Sequence, residues 1–538
     1  MKKKLYALLL AVCVAVTAVP QNVFAAKQSA EYVDGHLTLE GVQESNDAGK
    51  AEEMSDKGGY IQVPFDLPKL EVSKKEGIPA QRAAVVPDFY DGRSKIGAVR
   101  NQNPYASCWT FAAMASAEAG MIARGLADTA LDLSEYQMAR FFYNNVNDPL
   151  ENTAGDKTIG RVNGIDIADD GTYLDIGGNN MFATWSMAGW KAGAEESAAP
   201  YESIASTGAK LPDSAAFHDI AHLQNAYWFP LSTDAAEQQL VKKMIMEYGA
   251  VAASYRHDDI SSMNYATNAY YNDRISGYGH AVSIVGWNDN YSRTNFLEGH
   301  QPAENGAWLV RNSWGTGWGE NGYFWMSYEE ATLDGTAMVF LFESADNYDY
   351  NYQYDGSCGI KALSTGEEVT FSNVFKVKGS SLQCLEAVSV GIKSNNTPYS
   401  IQIYMDSQEG NPTSGKAMFA IPQTGTTTYT GYHTIKLKEP IILQPGHTFT
   451  VALTLPEGGS GFLDASYKNG EWIRFENNTD RNQSFAEIAG DVIDLSDTYG
   501  GSMRIKAFTN TYSGPGVILQ VLLRQMPVKR HPEKYLIC

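Results

Sequence analysis

A change of hydrophobic period near residue 250 constrains this 538-residue chain most. Before it, apolar residues recur at helical spacing. "SCWTFAAMASAEAGMIA" (107–123) has Ser107 as an N-cap and Gly125 as a stop, which places a helix start at Cys108. "LDLSEYQMARFFYNN" (131–145), capped by Ser134, "MFATWSMAGWKAG" (181–193) and "AEQQLVKKMIMEYG" (236–249) carry the same signal. After it come short apolar strands between glycine turns: "GHAVSIVGW" (279–287), "AWLVRNSW" (307–314) and "YFWMSY" (323–328). Helices followed by strands imply an α+β domain of two lobes. From about 386 the pattern is strand-like throughout, at 386–394, 399–407, 433–439, 447–455 and 502–508. Short strands at this spacing imply an antiparallel β-sandwich.

The boundaries follow from composition. Three lysines, an apolar run at 5–19 and small residues ending at Ala25 and Ala26 read as a secretory signal over 1–26, so an extracellular or bacterial cell-surface location is expected, without a transmembrane span after signal removal. Residues 27–85 are polar and Lys/Glu-rich and read as a leader with a processing zone at 80–86. The two-lobed domain is assigned to 86–345, a tyrosine-rich linker to 346–356, the sandwich to 357–511, and a tail without an assigned role to 512–538. A net charge of −21 disfavours nucleic acid as a partner. Nothing in the chain calls for a metal or cofactor; "IDIADDGTYLD" (165–175) is acidic but lacks the spacing of a calcium loop and reads as solvated.

Cysteine is scarce. Between residues 27 and 357 only Cys108 occurs, so it has no local disulfide partner. Cys358 and Cys384, flanking the first sandwich strands, leave both a bridge and two thiols open. A thiol at a helix N-terminus beside an imidazole is an activated nucleophile. Of five histidines in the two-lobed region (His218, His222, His257, His280, His300), His280 alone begins a clear apolar strand. Asn312, ending another strand, can orient an imidazole without charge, and the Trp314 indole can shield that bond.

Together "NQNPYASCW", "GYGHAVSIVGW" and "VRNSWGTGWGENGY" strongly resemble the cysteine, histidine and asparagine segments of papain-like cysteine peptidases, in the family's order. "PDFYDGRSKIGAVRNQ" (87–102) resembles the family's mature start, and "LSEYQMA", "GGNN" and "WKAGAEESAAPY" its later landmarks. The resemblance implies Cys108 as nucleophile, His280 as proton carrier, Asn312 as its orienter and Gln102 as oxyanion donor. Such a donor is worth roughly 3–4 kcal/mol in the transition state. It also implies that Gly177 and Gly178 line the substrate cleft, that Trp314 shields the site, and that the main specificity pocket is floored near 333–334. The family's usual disulfide cysteines are absent, with Tyr105 at one such position. The Cys108-to-His280 spacing exceeds the family's roughly 130–150 residues, which points to the Asp/Gly-rich stretch 146–180 as an insertion that could block one end of the cleft. Residues 350–510 look similar to the lectin-like sandwich that follows such domains in exported bacterial, clostridial-type proteins. Protein or peptide substrates are implied, with cell-surface glycan as a candidate partner of the sandwich through Tyr399, Tyr404, Tyr467 or Trp472. Against the peptidase stands a non-catalytic surface protein using the fold as a scaffold. A Cys–His–His amidase is disfavoured by Asn312.

Overall fold

The computed structural model describes residues 31–33, 37–41, 60–61, 85–167, 171–274 and 276–512. The signal, the tail beyond 512 and most of the processing zone lie outside these.

The helix Cys108–Ala123 is the axis of the first domain. It is buried from Cys108 to Met121, as its alanine-rich sequence allows. Gly120 lets it press on the strand Thr336–Ser344: a Cβ there would stand 3.0 Å from the Phe340 carbonyl oxygen. Helices Glu135–Tyr143 and Asn180–Ala188 pack beside it, each capped by a side chain, Ser134 on the Gln137 N–H and Asn179 on the Phe182 N–H. The other lobe is a twisted sheet of the strands Val251–His257, Tyr278–Asn288, Ala307–Arg311 and Tyr323–Ser327, paired antiparallel in the order written. Helix Ala235–Tyr248 shares its core with Trp287, Trp308 and Phe324.

The second domain is a β-sandwich. One sheet orders Thr397–Met405, Thr448–Leu455, Val369–Lys376 and Ser484–Ile488 side by side. The facing sheet is built on Gln383–Ile392, which pairs with Thr430–Leu443 and Ile505–Thr511. Aliphatic residues such as Val388, Ile403, Val451 and Ile505 fill the space between them. Cys358 and Cys384 are buried thiols without a bridge.

Three findings differ from the sequence reading. The presumed linker is partly sheet: Tyr350–Tyr352 pairs with Thr509, Phe508 and Ala507. Alternating tyrosines there face a sandwich rather than solvent. The Asp/Gly-rich stretch 146–180 holds a strand, Lys157–Val162, that pairs with Ile473–Glu476 of the sandwich. Part of the presumed leader is also ordered on the sandwich. Leu37–Gly41 pairs with Lys361–Ser364, with Leu37 fully buried and Ser364 donating to Glu40 at 2.8 Å.

The domains are consequently one packed body. Trp228 pairs in register with Thr430, and Tyr227 with Gly431, across the boundary. Trp185 and Trp228 stack edge-on or tilted against Phe462 of the sandwich. Arg504, with no exposure, lies 4.1 Å over Trp185 and pairs with Asp355 at 2.9 Å; Lys506 meets the same carboxylate at 2.5 Å.

Candidate active site

Cys108 is the first residue of its helix and fully buried. Its Sγ accepts from the Ala281 N–H at 3.4 Å, which sets it against the neighbour of His280. Ser107 holds the N-cap position without capping; its hydroxyl bonds the Tyr201 hydroxyl at 2.5 Å instead. The helix start therefore keeps its partial positive charge for the thiol beside it.

His280 stands in register with Tyr255 on the next strand and is fully buried. Its Nε2 meets Asn312 Oδ1 at 2.7 Å. Asn312 Oδ1 also accepts from the Ser313 N–H at 2.7 Å, which fixes the amide with its oxygen toward the ring. Nε2 must therefore carry the hydrogen, and Nδ1 is the basic nitrogen. Nδ1 is buried without a hydrogen bond among the described residues. Burial pushes the imidazole down to about 3, with the Asn312 bond opposing. Trp314 stacks on the ring at 4.7 Å and 22°.

Gln102 is buried in the same knot. Its N–H donates to the Ser313 carbonyl at 2.7 Å, its Oε1 accepts from the Ser313 hydroxyl at 2.6 Å, and its Nε2 donates to the Tyr105 carbonyl at 2.9 Å. One of its two amide hydrogens is thus spent locally.

Gly177 and Gly178 enter the Asn180–Ala188 helix. Gly177 has φ 89°, and a Cβ on Gly178 would stand 2.5 Å from the Trp109 ring. Both are places where only glycine fits.

Two features were not singled out from the sequence. His257 is fully buried, edge-on to Trp314 at 4.9 Å, with its ring nitrogens bonded to the Tyr255 hydroxyl at 2.7 Å and Asp259 at 2.6 Å. Only the carboxylates of "RHDD" could have hinted at it. The other is Tyr60–Ile61, far upstream. Ile61 N–H donates to the Gly178 carbonyl at 2.7 Å, Tyr60 forms a parallel bridge with Gly178, and the Tyr60 hydroxyl donates to Asp334. Of the expected pocket-floor positions 333–334, Asp334 is the one that the Tyr60 side chain reaches. Among the described residues, no cluster of three or more His, Cys, Asp or Glu could hold a metal, and no helix is long and apolar enough to cross a membrane.

A family model described as papain family cysteine protease matches residues 176–343, and one described as lectin like domain matches 351–509. A viral cathepsin of Spodoptera litura multicapsid nucleopolyhedrovirus is 24% identical over 45% of this chain and 57% of its own length. Cysteine proteinase 3 of Entamoeba histolytica is 24% identical over 51% and 72%. The chain thus spans under three-fifths of the viral relative. Among solved structures, the cysteine protease and lectin-like domains of Cwp84, a surface layer associated protein of Clostridium difficile, match with a TM-score of 0.68 at 22% identity, covering 90% of this chain and 100% of that one. A Cwp84 structure after propeptide cleavage matches with a TM-score of 0.63 at 24% identity over 79% and 99%. The chain carries a papain-family cysteine protease domain followed by a lectin-like domain.

Proposed function

We propose that this chain is an exported cysteine peptidase that hydrolyses internal peptide bonds, with Cys108 as nucleophile and its own N-terminal segment as a removable cover. The carrying observation is the state of His280: Nε2 is committed to Asn312, leaving Nδ1 as a bare base in the neighbourhood of Sγ. Nδ1 takes the thiol proton, and Sγ attacks the peptide carbonyl carbon. The oxyanion takes the second amide hydrogen of Gln102 and the Cys108 N–H. His280 then passes its proton to the leaving amine. Water, deprotonated by His280, attacks the thioester; its collapse releases the acid and returns the proton to sulfur. Trp314 shields the His280–Asn312 bond, and Gly177 and Gly178 border the peptide.

Endopeptidase action is supported by the 157–162 strand, which is tied to the sandwich rather than laid across the cleft. The Tyr60–Ile61 contacts support a leader that occupies the cleft until cut in the 80–86 zone, and Cwp84 was itself solved after propeptide cleavage. Export rests on the N-terminal signal, and a surface-glycan targeting role for the lectin-like domain is part of the same reading.

Mass spectrometry with an epoxide thiol inhibitor tests it. Leader-trimmed protein should label once, at Cys108, and Cys108→Ala should lose at least about a thousandfold in peptide hydrolysis. The N-terminus of the labelled species locates the cut. Folded, trimmed protein that neither labels nor hydrolyses peptides would leave the scaffold reading.

A further inference from the structure

Tyr60 is held in the cleft as a ligand is held. On one side the main chain pairs with Gly178. On the other it abuts Gly279, where a Cβ would come within 2.9 Å of the Tyr60 carbonyl oxygen. Two glycine walls thus grip an extended backbone, while the side chain descends between them. It is 8% exposed and ends on the Asp334 carboxyl. That carboxyl is built into the wall. Its Oδ1 accepts from the Thr336 N–H at 3.1 Å, and the Asp334 N–H donates to the Ser254 carbonyl at 3.0 Å. Its other oxygen is left for whatever fills the pocket.

The Asp334 oxygen that faces the pocket needs a donor from the occupant once water is excluded. A leucine or phenylalanine reaching the same depth would strip it of water and return nothing. A phenol reaches it and donates. We propose that this pocket selects substrates with a tyrosine side chain, whose phenol donates to Asp334, Tyr60 being the built-in copy. This rests on the peptidase reading above. Sites that hydrogen-bond a substrate hydroxyl reject the analogue lacking it far more strongly than methylene differences allow. Because this pocket opens onto a cleft that water can re-enter, the expected Tyr-over-Phe ratio in kcat/KM is about tenfold.

The test uses leader-trimmed protein, in which Tyr60 has left the pocket, against peptides scanned with Tyr, Phe, Leu and Arg at each position around the cleaved bond. One position should favour Tyr over Phe by about tenfold or more. Asp334→Leu should bring that ratio to about one, and Asp334→Asn, a smaller change in case the leucine variant fails to fold, should lower it several-fold. A Tyr/Phe ratio near one at every position, or a ratio untouched in the folded variants, overturns the proposal. Cys108-dependent cleavage of the Phe peptides without Tyr preference sinks this inference and leaves the peptidase reading standing. Absence of Cys108-dependent cleavage of any peptide sinks both.

Discussion

Asn312 meets the His280 ring through one oxygen, and that sets what its replacement should do. Asn312→Ala removes the acceptor on Nε2, so the ring loses its fixed tautomer; kcat should fall roughly 10–100-fold with KM little changed. Asn312→Asp keeps the acceptor but adds negative charge 2.7 Å from the ring. A nearby carboxylate favours imidazolium, so the imidazole pKa should rise. Stopped assays of kcat/KM against pH should show a limb displaced upward in Asn312→Asp; an unmoved limb would mean that His280 is not the titrating group. The sequence singled out Cys108, His280, Asn312, Gln102 and Trp314 through three short segments that resemble a known family, and the fold brings these side chains together. It disclosed nothing about His257, one histidine among five in its region with no motif around it. Tyr60 was equally silent, because its partner Asp334 lies 274 residues away and its own surroundings are polar.

At the scale of elements, periodicity located the four main helices and eight strands to within a few residues, and passed over others, Val251–His257 and Val369–Lys376 among them. It failed where a segment's partner lies in the other domain. "KTIGRV" (157–162) has no apolar alternation strong enough to announce a strand; pairing with Ile473–Glu476 and the Asp166–Arg474 ion pair make it one. The cross-domain ladder of 225–228 with 430–433 was illegible for the same reason. Gly431 is its narrowest point: φ is +137°, and a Cβ would lie 2.0 Å from the Ala226 carbonyl oxygen. Gly431→Val combines that clash with backbone strain of about 1–3 kcal/mol, so the strands must part. Calorimetry should show the unfolding transition lowered or split into two. A single transition at the wild-type Tm would mean that this ladder does not hold the domains together.

For the whole molecule, buried ionisable groups of opposite type decide how stability follows pH. His280, His222 and His433 are buried and pushed down from 6.5, to about 3, 4 and 4. Each binds protons more readily unfolded, so each costs stability as pH falls below 6.5. Glu118 and Glu330, both 1% exposed, are pushed up from 4.5 to about 7 by burial, and Glu135 is raised well above it for the same first reason. Each binds protons more readily folded. Their contribution is complete below 4.5 and is lost as pH rises toward 7. Between 4.5 and 6.5 the two sets oppose, and the acids prevail, because burial also pushes Glu196, Asp219 and Asp334 up to about 7. Below 4.5 the histidines act alone, joined by ion-paired carboxylates such as Asp91 and Asp166 whose pKa values are lowered. Above 6.5 the buried acids act alone. Tm should therefore be highest near about pH 4.5, fall as pH rises toward 7, and fall again in stronger acid. The Glu118 displacement corresponds to about 3 kcal/mol, and Glu118→Gln preserves an oxygen for the Leu133 N–H that Glu118 now accepts at 2.9 Å. The variant should lose less Tm than the parent between pH 6 and 8, while its acid limb stays where it was. A Tm that climbs steadily from pH 5 to 8 in the parent would show that these acids are ionised and paired in the folded chain.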